Sequence, residues 1–205
     1  MDKEQAPMEK KQDMRVLRTK RDLRNAFIEL IGEKQFEKIT VTEICKRASI
    51  NKMTFYKHYQ DKYTLLDDCL RTVAESVFLK CVPNEDFDKI LNENPVDFFV
   101  DLVSSVMSEC YDKKNVILSL SYGNNSSLRF VVAEYCNKLV YRLVVRMSDT
   151  YKFKYPPYVI SSFITGGFAN IITDCLTTSP IPIDTFRNYV RTFFSDLIES
   201  KIILI

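Results

Sequence analysis

Glycine, tryptophan and histidine are scarce in this 205-residue chain, which has four glycines, no tryptophan and one histidine, His58. Few glycines allow few tight turns, and long stretches are rich in Leu, Glu, Lys, Ile and Phe, which favour helices. A single histidine and six scattered cysteines without a CxxC pair have neither the spacing of a zinc site nor that of a disulfide framework. The sequence therefore predicts an all-α protein with reduced thiols, no metal site and no cofactor.

The first 15 residues, MDKEQAPMEKKQDMR, have no apolar core of the kind that a secretory signal needs, so we expect a cytoplasmic protein. Residues 158–176 come nearest to a membrane span, but Asn170 and Asp174 interrupt the apolar run. An aspartate at the centre of a bilayer costs about 2.5–3.5 kcal/mol. A buried helix in a protein without a membrane-spanning segment fits this stretch better.

The net charge of +2 is unevenly distributed along the chain. Residues 1–62 have 15 Lys or Arg against 10 Asp or Glu, which is +5, and residues 63–205 have 14 against 17, which is −3. A basic front module is typical of a protein that binds a polyanion, although a charge excess on its own is more often a solvated surface. The length favours one small module followed by a larger one.

The front of the chain reads as three helices. Apolar residues within 18–34 recur at helical spacing, at Leu23, Ala26, Phe27, Leu30 and Ile31. The segment TVTE at 40–43 is a capping box, which predicts a second helix of about two turns, and Asn51 is a good N-cap for a third that ends near Tyr59. Two short helices joined by a turn, with a longer helix behind them, predict a helix-turn-helix unit.

The third helix of this unit has an apolar and a polar side. Phe55 and Tyr59, four residues apart, are expected to face the core, which leaves Lys52, Met53, Tyr56 and Lys57 on the outside. Lysine can donate to guanine, tyrosine and methionine can contact a thymine methyl, and hydroxyls can hold phosphates. The pattern therefore indicates a surface that contacts DNA.

The stretch KITVTEICKRASINKMTFYKHYQDKYTLL, residues 38–66, closely resembles the DNA-binding segment of regulators of the TetR/AcrR family. The hallmark run of Thr, aromatic, Tyr, any residue, His and aromatic is present at 54–59, and the resemblance covers roughly residues 16–76. It implies a flexible tail over 1–15, a DNA-binding domain over 16–76 and a ligand-binding and dimerisation domain over 77–205.

The resemblance also implies a role for each residue of the site. Lys52, Met53 and Tyr56 would face bases, Thr42 would reach a base or a phosphate, and phosphates would be held by Thr40, Thr54, Lys57, His58 and Lys62. Some of these residues have a plainer alternative. Thr40 is also a helix cap, a lone histidine is usually structural, and Lys62 at a helix start opposes the helix dipole unless a phosphate is bound.

The back of the chain reads as six further helices, at 61–81, 95–110, 113–121, 126–149, 156–178 and 183–201. The last two have more apolar residues than one neighbour can cover, which indicates either a dimer interface or a generous monomer core. The residues expected at that interface are Phe163, Gly167, Phe168, Ile171, Phe186, Val190, Phe193 and Leu197. The family commonly pairs these two helices with those of a second subunit in a four-helix bundle.

The resemblance further implies a small-molecule effector, bound in the back module. The candidate pocket residues are aromatic, Phe98, Phe99, Tyr111, Phe130, Tyr135 and Tyr141, although aromatics at helical spacing are more often core. We expect a homodimeric repressor of a near-palindromic double-stranded DNA operator. The alternative is a DNA-binding regulator that answers to a protein co-regulator, and an enclosed cavity of a few hundred Å³ would distinguish the two. An enzyme is not expected, because no nucleophile elbow or phosphate loop is present.

Overall fold

The computed structural model describes residues 5–81, 89, 93–122 and 126–199. Within these ranges the regular secondary structure is helical. The α-helices are α1 (Gln5–Glu33), α2 (Val41–Ala48), α3 (Lys52–His58), α4 (Lys62–Cys81), α5 (Pro95–Asp112), α6 (Lys114–Tyr122), α7 (Ser126–Met147), α8 (Pro157–Thr177) and α9 (Ile183–Glu199), and a short 3-10 helix covers Phe36–Lys38.

The N-terminal unit, Met1–Arg71, is built around the apolar side of α1. Its fully buried side chains come from all four helices, and they include Leu23, Phe27, Ile44, Phe55 and Leu65. Burial of a large apolar side chain contributes about 1.5–3 kcal/mol, so residues of this kind stabilise the packing of the short helices against α1 and α4.

The turn between α2 and α3 is made by a serine in the left-handed region. Ser49 has φ 55° and ψ 38°, and the amide of Ile50 donates to the carbonyl of Cys45 at 2.9 Å, which closes the end of α2. This conformation costs an L-residue roughly 1–2 kcal/mol. The sharp turn lets α3 start two residues later, at the N-cap Asn51.

The second unit, Thr72–Ile205, has its own core, to which α5, α7, α8 and α9 contribute. Phe194 of α9 stacks on Phe99 of α5 at 5.1 Å between ring centroids and on Phe168 of α8 at 5.5 Å. Beside this stack, Arg187 and Arg191 of α9 form ion pairs with Asp101 and Asp97 of α5. Apolar stacking and a flanking row of charges therefore set how α9 lies on α5.

The helix positions expected from the sequence are confirmed, with two differences at the front. A flexible tail was expected over residues 1–15, whereas α1 extends back to Gln5; residues 1–4 lie outside the described part. The compact units divide after Arg71, five residues earlier than the expected boundary at 76. Residues 200–201 of the expected last helix also lie outside the described part.

Helix α8 is long and apolar enough to cross a membrane by length and composition alone. Its buried residues, which include Ile160, Phe168 and Leu176, belong to the core of the second unit.

The capping box at α2 gives a test of the fold. Thr40→Ala removes the hydroxyl that accepts from the amide of Glu43 at 3.3 Å, and we expect the free energy of unfolding to fall by about 1 kcal/mol. Urea denaturation followed by circular dichroism measures the change. Thr42→Ala, in the same turn but outside the cap, is the matched control, and an equal effect of the two substitutions would contradict the assignment.

Candidate nucleic-acid interface

Helix α3 has one buried and one exposed side. Phe55 is fully buried and Tyr59, at the C-cap, is 4% exposed, whereas Met53 is 73% and Tyr56 is 58% exposed. Lys52 and Lys57 are also exposed, and Thr54 is half-buried. The outward side therefore has two lysines, a methionine and a tyrosine, which is the orientation expected from the sequence.

Hydrogen bonds fix both ends of α3. The Asn51 side chain accepts from the amide of Thr54 at 2.7 Å, and the amide of Tyr59 donates to the carbonyl of Phe55 at 2.9 Å. Inside the unit, the Phe55 ring lies 5.7 Å from that of Tyr59 between centroids. The exposed side chains thus project from a helix whose rotation is restrained by contacts on its opposite side.

The start of α2 is a complete capping box with a third partner. The carboxylate of Glu43 accepts from the amide of Thr40 at 3.0 Å and from its hydroxyl at 2.9 Å, and it also pairs with Lys34. The hydrogen bond from Lys34, with those from Thr40, lowers the pKa of Glu43 to about 2. Both donors of Thr40 are therefore engaged within the protein, and Thr42, whose side chain is exposed, is the freer of the two threonines.

His58 is half-buried at the end of α3. Burial lowers the pKa of its imidazole, and the positive charges of Lys20 and Lys57 lower it further. The ring is thus held toward its neutral form, in which one nitrogen donates and the other accepts. The neutral imidazole can reach a phosphate through an N–H hydrogen bond.

Lys62 has a different position from the one that the resemblance implied. Its ammonium donates to the carbonyls of Phe36 at 2.8 Å, Glu37 at 3.0 Å and Ile39 at 3.0 Å, and it lies 4.5 Å from the centre of the Phe36 ring. An ammonium has three donors, so all are used by the segment that leads into α2. Lys62 therefore holds the start of α2 in place, and a phosphate contact would require it to leave these carbonyls.

A buried ionic cluster behind α3 was missed by the sequence analysis. Asp68 of α4 is 6% exposed and accepts from the Tyr59 hydroxyl at 2.6 Å, from Arg24 at 2.9 Å and from Arg71 at 2.5 Å. Arg24 and Asp68 are 44 residues apart, so periodicity carried no signal of the pair.

The expected dimer residues divide into two groups. Phe168, Phe186 and Val190 are buried in the core of their own chain, and Leu197 is half-buried against it, so helices of the same chain cover much of this group. Periodicity could not distinguish a helix of the same chain from a helix of a partner. Phe163 (66%), Ile171 (45%), Phe193 (42%) and Gly167 are exposed.

Two glycines lie on the exposed side of α8. Apart from the adjacent residues and the backbone of α8 itself, no atom of the described residues lies within 4 Å of the position that a Cβ would take at Gly166 or Gly167. The described residues of the chain itself therefore make no close approach to the backbone at this point. We call the surface formed by Phe163, Gly166, Gly167, Ile171 and Phe193 the α8–α9 face.

The aromatic residues expected to line an effector pocket do not converge on one. Phe130 is 69% and Tyr141 is 43% exposed, Phe98 is buried in the core, and Tyr111 donates its hydroxyl to the carbonyl of Ile181 at 3.2 Å. Tyr135 is half-buried on α7. Of these six residues, Phe99 lines the hollow that the described part of the second unit forms from Pro95, Phe99, Val144, Met147, Tyr151, Phe153, Ile160, Ile164, Phe194 and Ile198.

This hollow is apolar and small. Its cavity volume is about 30 Å³, which is about the share of one water molecule in the liquid. Pockets for drug-sized ligands have about 300–1,000 Å³. The arrangement of α5, α7, α8 and α9 described above therefore contains no preformed effector site at this position.

Comparison with known proteins identifies the front unit. Residues 23–69 match the family model described as "Bacterial regulatory proteins, tetR family". The "Uncharacterized HTH-type transcriptional regulator YxbF" of Bacillus subtilis (strain 168) is 39% identical over 71 residues, which are 34% of this chain. Those residues cover 19% of that relative, so the match spans about a fifth of its length.

Solved structures match over both units. A TetR transcriptional regulator from Streptococcus agalactiae 2603V is 20% identical with a TM-score of 0.59, covering 89% of this chain and 96% of that one. A protein described as a TetR-family regulator from Syntrophomonas wolfei is 13% identical with a TM-score of 0.66, covering 87% and 94%. At these identities the similarity shows the fold.

Fold and exposed α3 together define a helix-turn-helix regulator of transcription. The N-terminal unit contains the DNA-binding segment of the TetR family, as the resemblance of residues 38–66 implied. Members of this family are DNA-binding regulators and not enzymes.

The structural role of Lys62 is testable. Lys62→Met leaves three carbonyls without their donor, and we expect the free energy of unfolding to fall by about 1–3 kcal/mol. The dependence of DNA binding on salt should keep its slope, whereas Lys57→Met, the matched exposed control, should reduce that slope by about one. A reduced slope with unchanged stability in Lys62→Met would instead show a phosphate contact.

Proposed function

We propose that this protein is a homodimeric repressor that binds a near-palindromic operator with α3 of each subunit in the major groove. The observation that carries the proposal is the exposed side of α3, where Lys52, Met53, Tyr56 and Lys57 project from a helix capped at both ends. In a helix-turn-helix protein this helix contacts base edges.

Base contacts are assigned to three of these side chains. Lys52 can donate to guanine O6 or N7, and Met53 and Tyr56 can contact a thymine methyl. Their exposure supports this assignment, since Met53 is 73% and Tyr56 is 58% exposed on the side of α3 that faces away from the core. Thr42 is assigned to a base or a phosphate.

Phosphate contacts are assigned to the residues around α3. Lys57 and Thr54 supply a charge and a hydroxyl from α3 itself, and His58 supplies one N–H hydrogen bond. Thr40 can join them only by exchanging its bond to Glu43, and Lys62 is left out because its donors are engaged. Such contacts set the register of the protein on the duplex and do not read sequence.

The α8–α9 face is proposed as the dimer interface. Phe163, Ile171 and Phe193 are exposed apolar side chains on two adjoining helices, and the two glycines of α8 leave its backbone accessible. Exposed apolar side chains grouped on one side of a helix, as Phe163 and Ile171 are on α8, are typical of a surface that associates. A two-fold axis at this face would present two copies of α3 to major grooves about 34 Å apart.

A small-molecule effector could control this protein only if the hollow in the second unit opened. An effector would have to move α5, α7, α8 and α9 apart, because the present volume is about 30 Å³. Such a molecule would be mainly apolar, since the lining is. The sign of regulation follows from where the operator lies relative to a promoter, and repression is the sign typical of the family.

Base contact by Tyr56 is tested with the duplex that the protein retains from fragments of its own genome. Tyr56→Ala should weaken binding to that duplex by about 1–3 kcal/mol and relax the preference for one base pair. Lys57→Ala is the control, since it should weaken binding to all duplexes alike. Fluorescence anisotropy at two salt concentrations measures both. An unchanged affinity in Tyr56→Ala would remove this residue from the base-contacting set.

Dimerisation is tested at the α8–α9 face. Phe163→Glu places a charge on the apolar face, and we expect a monomer by sedimentation velocity together with loss of tight operator binding. Phe130→Glu changes a phenylalanine of equal exposure on α7, 69% against 66%, and should leave the dimer intact. A dimer in the first variant, or a monomer in the second, would contradict the location of the interface.

A further inference from the structure

The Asp68 cluster joins three elements of the N-terminal unit. Arg24 lies on α1, Tyr59 is the residue that ends α3, and Asp68 and Arg71 lie on α4. One carboxylate oxygen of Asp68 accepts from Tyr59 and Arg24, and the other accepts from Arg71. The hydroxyl of Tyr59 thus connects the end of α3 to two longer helices through a single carboxylate.

The cluster is buried at its centre. Asp68 is 6% and Tyr59 is 4% exposed, and the side chain of Arg24 is 20% exposed. Burial alone would raise the pKa of Asp68, but hydrogen bonds from Tyr59, Arg24 and Arg71 outweigh it and lower that pKa. The carboxylate is therefore held charged among donors that point at it.

Stability is a weak explanation for such an arrangement. The desolvation of a buried ion pair largely cancels its attraction, and an apolar replacement of similar volume is often as stable. What a buried hydrogen bond adds is direction, because it weakens steeply when donor and acceptor are misaligned. Apolar contacts such as those of Phe55 have no comparable angular requirement.

Helix α3 needs a directional restraint on its rotation. It has seven residues, and its buried contacts are made by Phe55 and, at the C-cap, Tyr59. A small rotation about its axis would keep Phe55 buried and would move Tyr56, on the next position, away from a base edge. The bond of 2.6 Å from Tyr59 to Asp68 opposes that rotation.

We propose that Asp68 is a positioning residue for DNA recognition, which acts through the Tyr59 hydroxyl to fix the rotation of α3 relative to α1 and α4. Selectivity for the operator, more than general affinity for DNA, then depends on it. The inference rests on the proposed function where it is tested by DNA binding, whereas the measurement of hydrogen exchange does not require DNA.

The test uses the full-length protein with Tyr59→Phe, which removes only the hydroxyl. The matched control is Ile31→Val, which removes one methyl group from a buried side chain of α1 in the same unit. Hydrogen exchange measured by NMR on the free proteins should be about tenfold faster at the amides of α3 in Tyr59→Phe, while the change in Ile31→Val is spread over the unit. Asp68→Asn, which keeps shape and loses charge, should follow Tyr59→Phe.

The binding arm uses the retained genomic duplex and a scrambled duplex of equal length. Tyr59→Phe should lose about tenfold in the ratio of the two affinities, with the scrambled duplex bound as in the wild type. A Tyr59→Phe protein with the wild-type affinity ratio, or with exchange changed as in Ile31→Val, overturns the inference. A wild-type protein that retains no genomic duplex overturns the proposed function, and accelerated exchange confined to α3 then still shows that the Tyr59 hydroxyl restrains this helix.

Discussion

A helix of two turns cannot hold itself together in water, and the N-terminal unit is arranged around that constraint. Isolated helices shorter than about 12–15 residues are marginal, because nucleation costs more than so few internal hydrogen bonds return. Helix α3 has seven residues, so its order comes from Asn51 at one end, Phe55 beneath it and Tyr59 at the other end. The residues that order the helix therefore lie at its ends and on its buried side, and not on its outward side.

The longer elements of the unit support this arrangement indirectly. Lys62 holds the carbonyls of residues 36, 37 and 39, and Arg47 of α2 pairs with Glu29 and Glu33 of α1. These contacts tie α2 to its neighbours at both ends, while Ser49 sets the angle at which the chain leaves it. The orientation of α3 therefore depends on the fixed position of α2, on the sharp turn at Ser49 and on the hydrogen bond from Tyr59 to Asp68.

Local features of this fold could be predicted from the sequence, because their causes are local. The capping box at Thr40 and Glu43, the N-cap Asn51 and the inward pair Phe55 and Tyr59 all depend on residues within four positions of each other. The helices of the second unit could be predicted from apolar periodicity in the same way. The outward side of α3 was predictable for the same reason.

Features that depend on distant residues could not be predicted in this way. Asp68 meets Arg24 across 44 positions, and Lys62 meets carbonyls that no side-chain pattern encodes. Periodicity marked Phe168 and Phe186 as apolar but could not say which helix covers them, and the structure shows their own chain does. The residues that line a cavity could not be predicted in this way either. A cavity depends on how distant helices pack, and this leaves no characteristic spacing in the sequence.

The two adjacent glycines of α8 destabilise this helix, and no packing contact within the described part of the chain offsets that cost. Each glycine within a helix is less favourable than alanine by roughly 0.5–1 kcal/mol, and neither Gly166 nor Gly167 has a neighbour within 4 Å where a Cβ would stand. In a pair of subunits the same bare backbone would let two helix axes approach to about 8 Å, the lower limit of helix packing. Gly166 and Gly167 therefore lower the helix propensity of α8 at the position where larger side chains would keep a second copy of the chain at a distance.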